Sequence, residues 1–303
     1  MRPERVSPAD IDKMRSTLRS FVREWSSLGA AEREQSMTPV IDEVNDYFQN
    51  ELGRKAWNEE TGERINVLIP GCGLGRLVFE FALRGYKSLG NEFAYYCLLS
   101  SNFILNESEN VEQFALHPYI HNFNNLKSDA DAFREVKIPD VCPMKEMEDP
   151  EKFDFAMAAG EFIDVFGQQT KQWDCIVTCF FIDTAHNLMD YMQTINNILK
   201  VGGIWVNIGP LHWHYSEQPS EIQVQLSLEE VEHLVPQFGF QFRKKEMRQT
   251  TYTGRIDCML NMSYESVFFS AVKVRDFVPV SAPIAVDNSN SASSDTAQIP
   301  TQN

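Results

Sequence analysis

Residues 65–78 read Ile65-Asn66-Val67-Leu68-Ile69-Pro70-Gly71-Cys72-Gly73-Leu74-Gly75-Arg76-Leu77-Val78. The apolar run 65–69 has the length and composition of a short strand. Gly71, Gly73 and Gly75 then turn the chain, because glycine lacks a Cβ and tolerates positive φ, so backbone there can approach a ligand closely. Leu77, Val78, Phe81 and Ala82 follow at helical spacing, up to a stop at Gly85. Strand, glycine turn and helix together predict the first β/α unit of a sheet with a ligand at its strand ends.

Working outward, a second short strand ends at Glu92, and Tyr95 to Leu105 is a strongly apolar helix. Residues 107–153 have weak periodicity and read as an insertion lying over the sheet. The alternation resumes with a strand near 155–158, a central strand at 173–181 and a helix at 187–199; Gly202-Gly203 then leads into a strand at 204–208. Ser227-Leu228-Glu229-Glu230 is a capping box for a helix to about Val235. The segments 240–247 and 265–274 read as an antiparallel pair closing one sheet edge. Upstream, Ser7-Pro8-Ala9-Asp10 starts a helix running to about Leu28, and Thr38-Pro39 opens a second through about Phe48. The expected fold class is α/β: a mostly parallel, doubly wound, Rossmann-like sheet with an antiparallel C-terminal edge. Residues 1–63 form a helical cover, 64–277 the core, and 278–303 a disordered tail rich in Ser, Asn, Thr and Gln.

Composition narrows the partners. Of 303 residues, 43 are Asp or Glu and 27 Lys or Arg, and the net charge of −16 repels phosphate backbones and anionic lipid. Neither nucleic acid nor a membrane is the expected partner. With no apolar leader and no run of about 18 apolar residues, the expected compartment is the cytoplasm, with the nucleus as a second location. Six cysteines, at 72, 97, 142, 175, 179 and 258, lie mostly in apolar runs without a CxxC pair, which reads as reduced thiols. His212 and His214 have no evident third ligand, so no metal is expected.

Glu92 lies 21 residues after Gly71, at a strand end where a carboxylate can accept hydrogen bonds from both ribose hydroxyls of an adenosine. A dinucleotide fingerprint wants Gly or Ala three residues after the second glycine, and Arg76 stands there. The spacing therefore favours the methyl donor S-adenosylmethionine over NAD, with a ligand-free glycine turn as the plain alternative. At Ala159-Gly160-Glu161-Phe162, Glu161 would accept from an adenine amino group and Phe162 would cover the ring. Equally, Glu161 could cap a helix and Phe162 belong to the core.

Longer strings carry a resemblance: Ile69 to Leu77, Gly90-Asn91-Glu92-Phe93, Ser101 to Asn106, Thr178-Cys179-Phe180-Phe181-Ile182-Asp183-Thr184-Ala185-His186-Asn187, and Gly203 to Leu211. From about Met14 to Val274 the chain resembles the carnosine N-methyltransferase family. The resemblance implies a class I methyltransferase fold and methyl transfer from S-adenosylmethionine to an imidazole nitrogen of carnosine (β-alanyl-histidine), giving anserine and S-adenosylhomocysteine. It implies cofactor contacts at Arg23, Gly71, Gly73, Glu92, Glu161, Phe162 and Cys179. It also implies catalytic and dipeptide contacts at Asp183, His214 and Tyr264, and it allows a homodimer. The family usually carries Asp in place of Glu161, which keeps the carboxylate, and Gln in place of Ser20, which bears on any cofactor contact there.

The implied chemistry is an in-line displacement whose main demand is alignment. Imidazole, with a pKa of about 6.5, is mostly neutral at pH 7 and needs no strong base. It does need the right tautomer, which Asp183 would fix by accepting from the second ring nitrogen; alternatively Asp183 would bind the substrate ammonium. Local residues alone leave plainer readings open: Asp183-Thr184 as a helix cap, His214 as a surface residue, Tyr264 as packing. A protein-histidine methyltransferase and a non-catalytic S-adenosylmethionine-binding scaffold are the alternative functions, and the aromatic-rich stretch 114–123 would shape the entrance in either enzyme.

Overall fold

The computed structural model describes residues 6–218, 220–255 and 258–279. Helix α1 spans Pro8–Trp25 and starts as the sequence suggests, with Ser7 and Asp10 forming a reciprocal capping box. It ends at Trp25, short of Leu28, and a 3-10 turn Ser27–Gly29 redirects the chain. Helix α2 covers Ala30–Asn45 and continues into a π turn, Asp46–Glu51. Its start corrects the expectation of a helix opening at Pro39, which instead lies inside α2. Proline forfeits one backbone hydrogen bond, but Met37, Val40, Ile41 and Val44 are buried on either side of it, and their packing keeps the helix continuous.

The core alternates β1 Asn66–Pro70, α3 Arg76–Leu83, β2 Lys87–Glu92 and α4 Tyr95–Asn106. A small insert follows: β3 Phe114–Leu116, α5 Asp129–Ala132, β4 Val136–Ile138 and α6 Pro143–Glu146. Its two strands pair only with each other, and it packs on α1 and α4, not over the sheet as expected. The apolar surface it offers, Phe114, Leu116 and Ile138, matches the Phe21–Trp25–Phe79–Leu105 cluster between those helices. Then come β5 Asp154–Ala159, α7 Phe162–Phe166, β6 Trp173–Cys179, α8 Leu188–Ile198, β7 Leu199–Gly209, α9 Leu228–Gln237, β8 Phe240–Thr250 and β9 Tyr264–Lys273.

The seven-stranded sheet runs β5-β2-β1-β6-β7-β9-β8. The first five strands are mutually parallel, while β9 is antiparallel to both β7 and β8. This is the class I methyltransferase order, and β8 forms the outer edge. Strand residues alternate between two cores. Val67 and Ile69 join Cys175, Val177, Ile204 and Val206 beneath α2 and α3, whereas Leu68, Ile176 and Trp205 face α7, α8 and α9. Burial on both faces is why these strands read as unbroken apolar runs.

One charged cluster fastens the cover to the sheet, and a buried lysine ties β9 to its core neighbours. Arg243 of β8 pairs with Glu43, Asp46 and Glu51, the π turn bringing the last two within reach of one guanidinium. The fully buried Lys273 of β9 donates to the carbonyls of Asn196 (2.6 Å) and Leu199 (2.9 Å). Among the described residues no helix is long and apolar enough to cross a membrane, and no group of three or more metal-ligating side chains gathers. Of the expected tail, 278–303, residues 280–303 lie outside the described residues.

Candidate active site

Strand order reverses direction between β1 and β6, and the crevice beyond their carboxyl ends is where an open α/β sheet binds ligands. The glycine loop closes the β1 side. Gly71 has φ 65° and Gly73 φ 59°; a Cβ on Gly71 would sit 2.4 Å from the Phe181 ring, and one on Gly73 2.6 Å from Glu24 Oε1. Arg76 is buried: it donates to Asp140 (2.7 Å), Glu80 (2.8 Å) and the Glu24 carbonyl (2.8 Å). The residue that breaks the dinucleotide spacing thus ties α3 to α1 and to the insert.

Glu24 was missed by sequence reasoning, having no local motif to distinguish it. Its buried Oε2 accepts from the backbone N–H of Leu74 (3.0 Å) and Arg76 (3.3 Å), while Trp25 Nε1 donates to the Leu74 carbonyl (3.1 Å). Burial raises the Glu24 pKa, against the opposing pull of Arg23 and the two N–H groups. Glu92 stands at the end of β2. Its Oε2 accepts from Gly73 N–H (2.9 Å) and its Oε1 from Phe93 (2.8 Å) and Ala94 (2.7 Å). Here too burial raises the pKa, and the three N–H groups partly offset it. Phe93, the next residue, is 73% exposed.

Arg23 descends from α1 over the end of β6. It lies 4.0 Å from Cys179 Sγ, with Nε 2.9 Å from Glu32 Oε1, and its guanidinium stacks over Tyr252 at 4.6 Å and Phe180 at 5.6 Å. Burial works against the cation, yet Tyr252, Cys179, Glu24 and Glu32 hold its pKa above the ordinary arginine value. Phe180, just past β6, takes φ 54°, a left-handed conformation costly for a bulky residue.

Glu161 and Phe162 divide in role. Glu161 caps α7, its Oε2 accepting from Ile163 (2.8 Å) and Asp164 (3.0 Å), so Oε1 keeps its acceptor capacity. Phe162 is 3% exposed, packed against Phe166, Phe181 and Tyr191, and offers no open face.

The third group lies past β6 and β7. Asp183 sits in a 3-10 turn, Ile182–Thr184, and does not cap α8; Asn187 does, accepting from Met189 N–H. Only 4% of Asp183 is exposed. Its Oδ2 accepts from His212 N–H (3.1 Å), its carbonyl accepts from His214 N–H (3.1 Å), and its buried Oδ1 has no partner. Burial raises its pKa; the charge of His214 and the His212 N–H pull the other way. His212 Nδ1 lies 3.4 Å from the Tyr264 hydroxyl, and the Tyr264 ring meets Phe180 edge-on at 6.3 Å. The structure therefore brings Asp183, His214 and Tyr264 to one place and adds His212, whose position beside Tyr264 depends on strand register.

The profile of the carnosine N-methyltransferase family matches residues 2–275. The chain belongs to this family. A carnosine N-methyltransferase of Rattus norvegicus is 43% identical over 265 residues, covering 87% of this chain and 64% of that protein. The Drosophila melanogaster member is 39% identical, covering 87% and 56%, and that of Schizosaccharomyces pombe 37%, covering 84% and 69%. The chain thus spans about two thirds or less of the length of the rat and fly relatives. A Synechocystis magnesium protoporphyrin IX methyltransferase with bound SAH superposes at a TM-score of 0.47, at 12% identity, over 86% of this chain and 97% of that one.

Proposed function

We propose that the chain is an S-adenosylmethionine-dependent methyltransferase that methylates an imidazole nitrogen of carnosine, giving anserine and S-adenosylhomocysteine. The observation that carries this reading is Asp183: a buried carboxylate with one oxygen satisfied by His212 N–H and the other without a partner, flanked by His212 and His214. An orphaned buried acceptor is costly and suits a ligand that donates one hydrogen bond, as a neutral imidazole does.

The crevice fits the methyl donor. Gly71 and Gly73 let Phe181 and Glu24 pack where a Cβ would stand, Glu92 keeps about one acceptor position for a ribose hydroxyl beside the three backbone N–H groups it already holds, Arg23 supplies a cation for a carboxylate, and Glu161 Oε1 remains free to accept from an adenine amino group. Phe93, exposed beside Glu92, supports the ring-covering role that buried Phe162 is badly placed to take. When bound, S-adenosylmethionine supplies an electrophilic methyl carbon.

The chain's own task is alignment and proton control. Asp183 Oδ1 accepts the N–H of one ring nitrogen, which leaves the lone pair on the other and fixes the tautomer. As positive charge grows on the ring, the same carboxylate stabilises it, and its raised pKa suits it to take up the remaining N–H proton. Tyr264 and His212 border the ring from the β9 side.

The test is transfer of labelled methyl from S-adenosylmethionine to carnosine by the purified chain. Asp183→Ala is expected to abolish transfer while leaving cofactor affinity within about twofold. Equal loss of both would make Asp183 a cofactor or folding residue.

A further inference from the structure

Glu32 stands in the first turn of α2, 9% exposed. Its Oε1 lies 2.9 Å from Arg23 Nε and accepts the N–H of Thr253, also at 2.9 Å; the Gly254 N–H reaches the same carboxylate. Three residues further along α2, Gln35 Oε1 accepts from the N–H (3.0 Å) and the hydroxyl (3.1 Å) of Thr251. The start of the chain that crosses from β8 to β9 is thus held on α2 at two points. Between them Tyr252 lays its ring over the Arg23 guanidinium at 4.6 Å.

A guanidinium carries its five N–H donors in a rigid fork, so fixing one side aims the other. Glu32 takes the Nε side of Arg23. Nη1 and Nη2 are left toward the crevice, 4.0 Å from Glu24 Oε1 and from Cys179 Sγ. Side-chain exposures of 9% for Arg23 and 11% for Glu32 make this a buried pair, and a buried cation that loses its anion seeks another. The acid within reach is Glu24, against the glycine loop. Resting on the reading of Arg23 as the cation for the cofactor's carboxylate, we infer that Glu32 is a positioning residue. It anchors Arg23 so that the Nη1–Nη2 edge meets that carboxylate, and by holding Thr253 on the same oxygen it links cofactor loading to the ordering of the crossover.

Equilibrium binding without turnover tests this with two probes: S-adenosylhomocysteine, and 5′-deoxy-5′-methylthioadenosine, which keeps the adenosine and the sulfur but lacks the amino-acid end. The wild-type chain is expected to bind the first roughly tenfold or more tightly than the second, as one charge-assisted hydrogen bond implies. Arg23→Gln should erase that preference. Glu32→Ala, with Arg23 intact, should shrink it to within about threefold, while affinity for the methylthio compound holds and reports that the variant is folded. Glu32→Gln keeps an acceptor for Thr253 N–H but loses the charge, so the preference should fall part of the way; this variant decides the matter if Glu32→Ala does not fold. In hydrogen exchange, S-adenosylhomocysteine should slow the Thr253 and Gly254 amides of the wild type and not those of Glu32→Ala. Equal loss of affinity for both probes in the Glu32 variants, as a purely structural role would give, or a preference unchanged or enlarged, would overturn the inference. If Arg23→Gln keeps the full preference, the reading of Arg23 falls and the inference with it. Failure of the wild type to methylate carnosine leaves these binding results standing and would overturn the proposed function instead.

Discussion

Asp183 illustrates how one residue can weaken a fold and serve a site. Burial lifts its folded-state pKa above the 3.8 of an exposed aspartate, so the folded chain holds that proton more tightly than the unfolded chain. Its stability contribution is therefore complete below about pH 3.8 and is lost as pH rises through the folded value, above which the ionised, half-satisfied carboxylate destabilises. Asp183→Asn should raise the melting temperature at pH 7 by roughly 1–4 °C, with the gain shrinking toward pH 4 and turnover gone. A lower melting temperature at pH 7 in scanning calorimetry would mean that the His212 N–H bond outweighs the buried charge. A second contrast concerns two phenylalanines. Phe93→Ala should weaken S-adenosylmethionine binding several-fold to a hundredfold, the value of one base–aromatic stack, with little change in stability. Phe162→Ala should cost about 3–5 kcal/mol of stability. Urea unfolding beside equilibrium binding separates them, and reversed phenotypes would return the ring-covering role to Phe162.

Helix α1 matters more than a cover would. It delivers Arg23 to the end of β6, Glu24 to the glycine loop and Trp25, fully buried, to the Leu74 carbonyl. Asp140 of the insert holds it there from the other side, accepting from Arg33 of α2 and Arg76 of α3. Side-chain exposures of 11%, 9% and 15% for Arg33, Arg76 and Asp140 place this triad largely away from solvent. Asp140→Ala leaves two buried guanidiniums short of an anion and should destabilise by about 3 kcal/mol or more. A loss under about 1 kcal/mol in urea titration would mean that Glu80 and the backbone carbonyls suffice. The N-cap of α1 and the capping box of α9 were legible because each is a local exchange of hydrogen bonds within a few residues. The start of α2 was not, since the local penalty of Pro39 is opposed only by packing against a sheet distant in sequence.

For the whole molecule, helices and sheet share their cores. Met37, Val40, Ile41, Val44 and Phe48 lie in the same cluster as Val67, Val177, Val206 and Phe268, and Arg243 and Lys273 bind β8 and β9 to distant elements. Unfolding should therefore be one transition, coincident by near- and far-ultraviolet circular dichroism. Two separated transitions would mark residues up to about 63 as an independent unit.

The sequence by itself determined the α/β alternation, the glycine turn, the acid at the end of the second strand and the antiparallel final pair. These rest on backbone periodicity and on glycine, which act over a few residues. Its longer strings also carried the family resemblance, and with it Asp183, His214 and Tyr264. Only the tertiary structure decided that Arg76 is a buried tie, that Glu24 lies against the glycine loop, that Phe162 is core while Phe93 is open, and that Asp183 keeps an oxygen without a partner. Burial and orphaned hydrogen-bonding capacity arise when elements tens of residues apart in sequence meet, and no local pattern records that meeting.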